Sequence, residues 1–163
     1  MTLDEHASRT RDMVPHTATL TRYAQDAHII LELGVRTGVS TWALLDGLSE
    51  SGHLVSVDID DVWEQLPDRI TKDPRWRFVN ADDRDGLPIK AADLVFIDTS
   101  HEYHHTLAEL EMVGALNPRW ILLHDYALPD VQDAIHGWLS RDRRYRLALL
   151  ESSEWMLAGL ERR

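Results

Sequence analysis

Short apolar runs alternate along the chain with longer stretches whose apolar residues recur every three or four positions, the pattern of buried strands interleaved with amphipathic helices. The first run, Ile29-Ile30-Leu31, passes through Glu32-Leu33 into a turn holding Gly34 and Gly38, and helical spacing then takes over from Val39 to Leu48. Buried strand, tight loop and helix are predicted there in that order. Further runs at 53–60, 76–82, 92–98 and 119–125 predict four more strands, each closing on an aspartate. Between them lie a short helix over 61–72 that Pro67 interrupts, a helix carrying Leu107, Leu110, Val113 and Leu116, and one opened by Pro129 with Val131, Ala134, Ile135, Trp138 and Leu139 on a single face. A leading helix is predicted over 15–26, with Leu20, Tyr23 and Ala24 inward.

The tail breaks the alternation. Residues 145–150 and 155–160 both read as strands, and only Glu151-Ser152-Ser153-Glu154 separates them. Four residues are too few for a parallel crossover, so the pair is predicted as an antiparallel hairpin. The whole pattern describes an α/β protein: a Rossmann-like three-layer sandwich around a mostly parallel seven-stranded sheet with a C-terminal antiparallel hairpin. At 163 residues it is long enough for one self-sufficient core, divided here into an N-terminal helical or flexible segment, 1–27, and a ligand-binding domain, 28–163. Residues 1–14, polar and mixed in charge, are expected to be loosely docked.

Charge and composition narrow the partners. With 28 acidic against 17 basic residues the net charge is −11, which repels a polyanion and argues against nucleic acid. Cysteine is absent, so neither disulfides nor thiolate metal sites are available. The polar start and the lack of any membrane-length apolar run make a cytoplasmic protein with no membrane partner the default expectation.

At the first strand-to-helix turn, the helix's leading N–H groups offer a ligand seat, and the glycines are expected to keep side chains out of the ligand's way. Spacing excludes two ligand classes. A G-x-G-x-x-G dinucleotide fingerprint fails at Arg36 and Val39, and a phosphate loop fails for want of a lysine. What remains is Glu32-x-Gly34-x-x-x-Gly38. Asp58 follows Gly34 by 24 positions, close to the roughly 20 at which an acidic residue meets ribose hydroxyls; the alternative is a cap on the next helix. Asp82 and Asp83 close the third strand, as binding residues or as a solvated turn. His101-Glu102-Tyr103-His104-His105 matches the zinc-protease pattern H-E-x-x-H, but His101 follows a strand end by three residues, whereas that motif needs both histidines inside one helix. His104 and His105 are expected in a solvated first helical turn, and Trp42 and the other tryptophans in core or edge packing.

Taken together these elements resemble class I S-adenosylmethionine (SAM)-dependent methyltransferases, in the small-molecule O-methyltransferase branch related to the macrolide sugar methyltransferases and cephalosporin-biosynthesis homologues. Glu32 to Ser40 looks like the branch's first motif, Val57-Asp58-Ile59 like its second, and Asp98-Thr99-Ser100-His101-Glu102-Tyr103 like its D-x-x-H-x-Y element. The resemblance implies a cofactor site built from Glu32, Gly34, Arg36, Thr37, Gly38, Ser40, Asp58 and Asp82 or Asp83, the last pair facing the adenine amino group. It implies catalysis by Asp98 and His101, the imidazole accepting the acceptor's hydroxyl proton near neutral pH. Asp98, His124 and Asp125 are the implied metal ligands, for Mg²⁺ or another divalent ion. His124 replaces the usual glutamate, and imidazole suits softer ions than Mg²⁺, so the metal's identity stays open. The implied partner is a small-molecule hydroxyl acceptor, and a homo-oligomer is compatible with the sequence. Two other readings are a metal-dependent hydrolase using His101 and His105, and a non-catalytic nucleoside-binding module.

Overall fold

A computed structural model describes residues 11–163; the expectation for 1–14 falls largely outside the described residues. Seven strands, β1 (Ile29–Leu33), β2 (His53–Asp58), β3 (Trp76–Asn80), β4 (Leu94–Ile97), β5 (Trp120–Leu123), β6 (Tyr145–Glu151) and β7 (Leu157–Arg162), form one sheet in the order β3-β2-β1-β4-β5-β7-β6. β1 to β5 run parallel, and β7 lies antiparallel between β5 and β6. The predicted hairpin is therefore present, with its second strand inserted into the sheet and its first strand at the edge.

Helices α1 (Thr17–Ala24), α2 (Val39–Gly47) and the short α3 (Asp68–Thr71) cover one face, where Leu20, Leu44, Ile70, Leu54 and Phe96 are buried together. Helices α4 (Tyr103–Ala115) and α5 (Pro129–Arg141) cover the other, over Leu31, Val95, Ile121 and Leu160. Alternate residues of each central strand thus feed opposite cores, which is why those strands are apolar throughout. Pro67 splits the 61–72 segment as expected, into a 3-10 turn (Trp63–Gln65) and α3.

Strand order reverses between β1 and β4, and there the carboxyl ends of neighbouring strands diverge into a crevice, the usual ligand position in open α/β sheets. Gly34 stands at the mouth of this crevice with φ +87°. A Cβ on it would lie 2.0 Å from the Asp98 carbonyl oxygen, so only glycine lets the β1 turn pass the end of β4. Gly38, at φ +76°, caps α2, and its missing side chain makes room for Leu66 and Ile70. Both glycines serve packing within the chain. Gly34 also lines the crevice, and Gly38 does not.

Candidate active site

The crevice is a cleft of about 810 Å³ whose walls come from four strand ends: Gly34 and Arg36 after β1, Asp58 to Asp61 after β2, Asp82 and Asp83 after β3, Asp98 and Thr99 after β4. A volume of this order suits a ligand of nucleoside size or larger. Six aspartates against Arg36 and Arg84 give the lining a strong preference for cations.

Of the expected cofactor residues, Gly34, Arg36, Asp58, Asp82 and Asp83 line the cleft, while Glu32, Thr37, Gly38 and Ser40 do not. Glu32 is fully buried, and its carboxylate accepts hydroxyls from Ser40 at 2.7 Å, Thr41 at 2.8 Å and Ser56 at 2.5 Å. Burial pushes its pKa up to about 7 despite these three donors. Glu32 and Ser40 thus join β1, α2 and β2, and neither lines the cleft. Gly38 likewise lies off the cleft, and Thr37 lies beside a small recess with Met13. Asp58 Oδ2 accepts the N–H groups of Val35 at 2.8 Å and Arg36 at 3.0 Å, and Oδ1 accepts that of Asp60 at 2.9 Å. A carboxylate has about four acceptor sites, so one remains for a ligand hydroxyl. Arg36, in the left-handed region at φ +49°, sends its guanidinium to both oxygens of Asp12. Asp82 is held by Arg84, whose hydrogen bonds keep it well below the usual carboxylate range.

Beyond the cleft, Asp98 belongs to a second group with His101, His124 and Asp125. His101 precedes α4, and its Nε2 lies 2.6 Å from Asp125 Oδ2 and 3.8 Å from Asp98 Oδ1. His124 Nδ1 lies 2.9 Å from Asp125 Oδ2 and 3.3 Å from Asp98 Oδ1, and its Nε2 is 3.4 Å from the Asp12 carbonyl. Hydrogen bonds from the two imidazoles hold Asp98 and Asp125 below their ordinary pKa against the effect of burial. Asp125, and then Asp98, raise His101 to about 9. The two carboxylates thus favour the charged form of His101. His124 is buried with both nitrogens engaged, its Nδ1 on the two carboxylates. Asp98, His101 and Asp125 form the group able to hold a cation, with one ligand atom each inside 4.8 Å.

The H-E-x-x-H pattern does not assemble. His101 joins Asp125, whereas His105, one turn into α4, faces Asp83 and Glu109. The hydrolase geometry is therefore absent, and His105 is half-buried in the cleft wall, where a solvated turn was expected. His104 is exposed as anticipated. Sequence reasoning missed the set Asp83, His105 and Glu109. The spacing of His105 and Glu109, four apart on a helix, was the available signal. Trp42 and Trp138 are core residues, while Trp63 and Trp155 are substantially exposed, Trp63 stacking on Trp76.

Residues 31–126 match the model of a family described as a methyltransferase domain. The chain belongs to this methyltransferase family. No curated protein sequence matches the chain. Solved structures share the fold: the SAH-bound methyltransferase PaMTH1 from Podospora anserina at TM-score 0.76 and 18% identity, covering 99% of this chain and 87% of that one; the Bacillus cereus O-methyltransferase in complex with SAH at 0.71 and 16%, covering 98% and 90%; and the O-methyltransferase TomG of Streptomyces achromogenes, involved in tomaymycin synthesis and in complex with SAM, at 0.75 and 16%, covering 98% and 88%. The matched region of this methyltransferase runs from inside β1 to just past Asp125 and contains both the cleft and the acid–imidazole group.

Proposed function

We propose that this methyltransferase moves a methyl group from SAM to a hydroxyl of a small molecule. The observation that carries the reading is the double membership of Asp98: it lines the cleft that Gly34 and Asp58 also line, and it is bonded into the group containing His101 and Asp125. A donor in the cleft and an acceptor over the group would meet at this residue. The acid-rich lining supports a ligand carrying sulfonium and ammonium charges, and the remaining acceptor site of Asp58 supports a ribose hydroxyl. In this reading Asp82 or Asp83 faces the adenine amino group, both being in the cleft lining with Arg36.

SAM supplies an electrophilic methyl, so the protein's share is to align the two reactants and remove one proton. Asp125 and Asp98 orient the His101 imidazole, which takes the proton in its neutral form, a form that becomes more abundant as pH rises toward its raised pKa of about 9. A divalent cation, where bound, would be held by Asp98 and Asp125 with His101 beside them, and its charge would lower the pKa of a coordinated hydroxyl. The fit is good for two carboxylates at a sheet edge; His124 adds no ligand.

Calorimetric titration with SAM and S-adenosylhomocysteine tests the donor. Saturable binding that weakens at least about tenfold in Asp58→Ala is expected, since a hydrogen bond to a charged partner is worth about 1.5–3 kcal/mol. No heat and no thermal stabilisation with either compound would overturn the proposal. With an acceptor in hand, His101→Ala is expected to lower kcat about 10²–10⁴-fold while donor affinity stays within about twofold.

A further inference from the structure

We propose a second metal site in the cleft wall, in which Asp83, His105 and Glu109 bind a tetrahedral divalent ion of the Zn²⁺ class. It is distinct from the group at Asp98 and lies in the wall of the same cleft, taking Asp83 for the ion and leaving the adenine end to Asp82. Asp83 begins the 3-10 turn Asp83–Asp85, and His105 and Glu109 lie one helical turn apart on α4. Their ligand atoms lie within 4.8 Å of one another.

Three observations point to an ion. Glu109 is fully buried, Thr99 donates to its Oε1 at 2.5 Å, and its Oε2 has no hydrogen-bond partner. Leaving a buried carboxylate oxygen without a donor is costly, and a cation removes that cost. Two carboxylates are also brought together away from water, with a single imidazole to offset them.

The distances are the third. His105 Nε2 is 3.4 Å from Asp83 Oδ1 and 3.5 Å from both Asp83 Oδ2 and Glu109 Oε1. Charge-assisted hydrogen bonds lie nearer to about 2.7–2.9 Å, as His16 to Glu151 does at 2.8 Å. Separations of 3.4–3.5 Å are instead the edges of a ligand tetrahedron, which come to about 3.3–3.6 Å for Zn–N and Zn–O bonds of about 2.0–2.2 Å. One imidazole with carboxylates matches an ion of borderline softness. Thr99 acts as the outer partner that orients a ligating carboxylate. Asp83 and His105 line the cleft, so water can reach a fourth position from that side.

The test uses chelator-treated full-length chain and needs neither SAM nor an acceptor. In an Asp125→Asn, His101→Ala background, which disables the other group, Zn²⁺ calorimetry is expected to give one ion per chain. Adding Glu109→Gln or His105→Ala is expected to weaken it at least about 10–100-fold, the loss produced even by removing an outer partner. Co²⁺ provides a second readout in the same Asp125→Asn, His101→Ala background: visible absorption of tetrahedral strength is expected, and its loss on adding His105→Ala. Zn²⁺ affinity untouched by both added substitutions, or Co²⁺ spectra identical with and without His105, would overturn the site. So would an absence of Zn²⁺ heat and of any Co²⁺ band in folded protein.

Discussion

Single residues carry much of the construction. Gly34 is the sharpest case: a methyl group there would overlap the Asp98 backbone, and φ +87° is itself unfavourable for any side chain. Gly34→Ala is expected to destabilise by more than about 3 kcal/mol, in the class of overpacking with backbone strain. At Gly38 the obstruction is only the flexible ends of Leu66 and Ile70, so Gly38→Ala is expected to lose less. Urea denaturation of the two variants checks the order, and equal losses would mean that the β1–β4 approach is not tight. Glu32 makes a different statement. Burial lifts its folded-state pKa to about 7 from 4.5, so between those values the folded chain keeps a proton that the unfolded chain has released. The stability this group contributes is complete below pH 4.5 and is lost as pH rises through 7. Denaturation midpoints of Glu32→Gln are expected to fall less than those of the unsubstituted chain over this window, the total difference reaching about 3 kcal/mol. Parallel curves would show that Glu32 is ionised throughout.

Among the elements, the strands and helices were legible because each carries its own period, and the hairpin because four residues leave no other connection. Boundaries were less so. The apolar run of β4 starts at Ala92, yet the strand starts at Leu94, because the Asp93 carboxylate turns aside to accept the N–H groups of His28 and Ile29 at the start of β1. The candidate site was legible where it follows from strand ends, at Gly34, Asp58 and Asp98. It was not legible where side chains from distant segments close on one another. Nothing local in Glu32 says that Ser56 will face it, and nothing in His105 says that Asp83 will. The β6–β7 turn shows the same dependence on the assembled fold. Buried His16, just before α1, bonds Glu151 at 2.8 Å and Ser153 at 2.9 Å, and Thr19 bonds the same glutamate. Glu151→Ala strands these groups and is expected to cost about 1–3 kcal/mol, with faster amide exchange in both α1 and the hairpin. A change confined to the hairpin would show that the two elements are not joined there.

At the scale of the molecule, the parallel order of β1 to β5 brings Asp58, Asp82, Asp98 and Asp125 to the carboxyl rim of the sheet, and the cleft that opens there is lined by six aspartates. Among the described residues no helix is long and apolar enough to cross a membrane. The contact between Gly34 and the Asp98 carbonyl has a further consequence. The cleft wall after β1 and the strand end that carries Asp98 are separated by no compressible layer, because the Gly34 turn packs directly against the Asp98 peptide. Any side chain at position 34 would therefore push on the strand end that carries Asp98, and a disturbance of one wall is expected to reach the other.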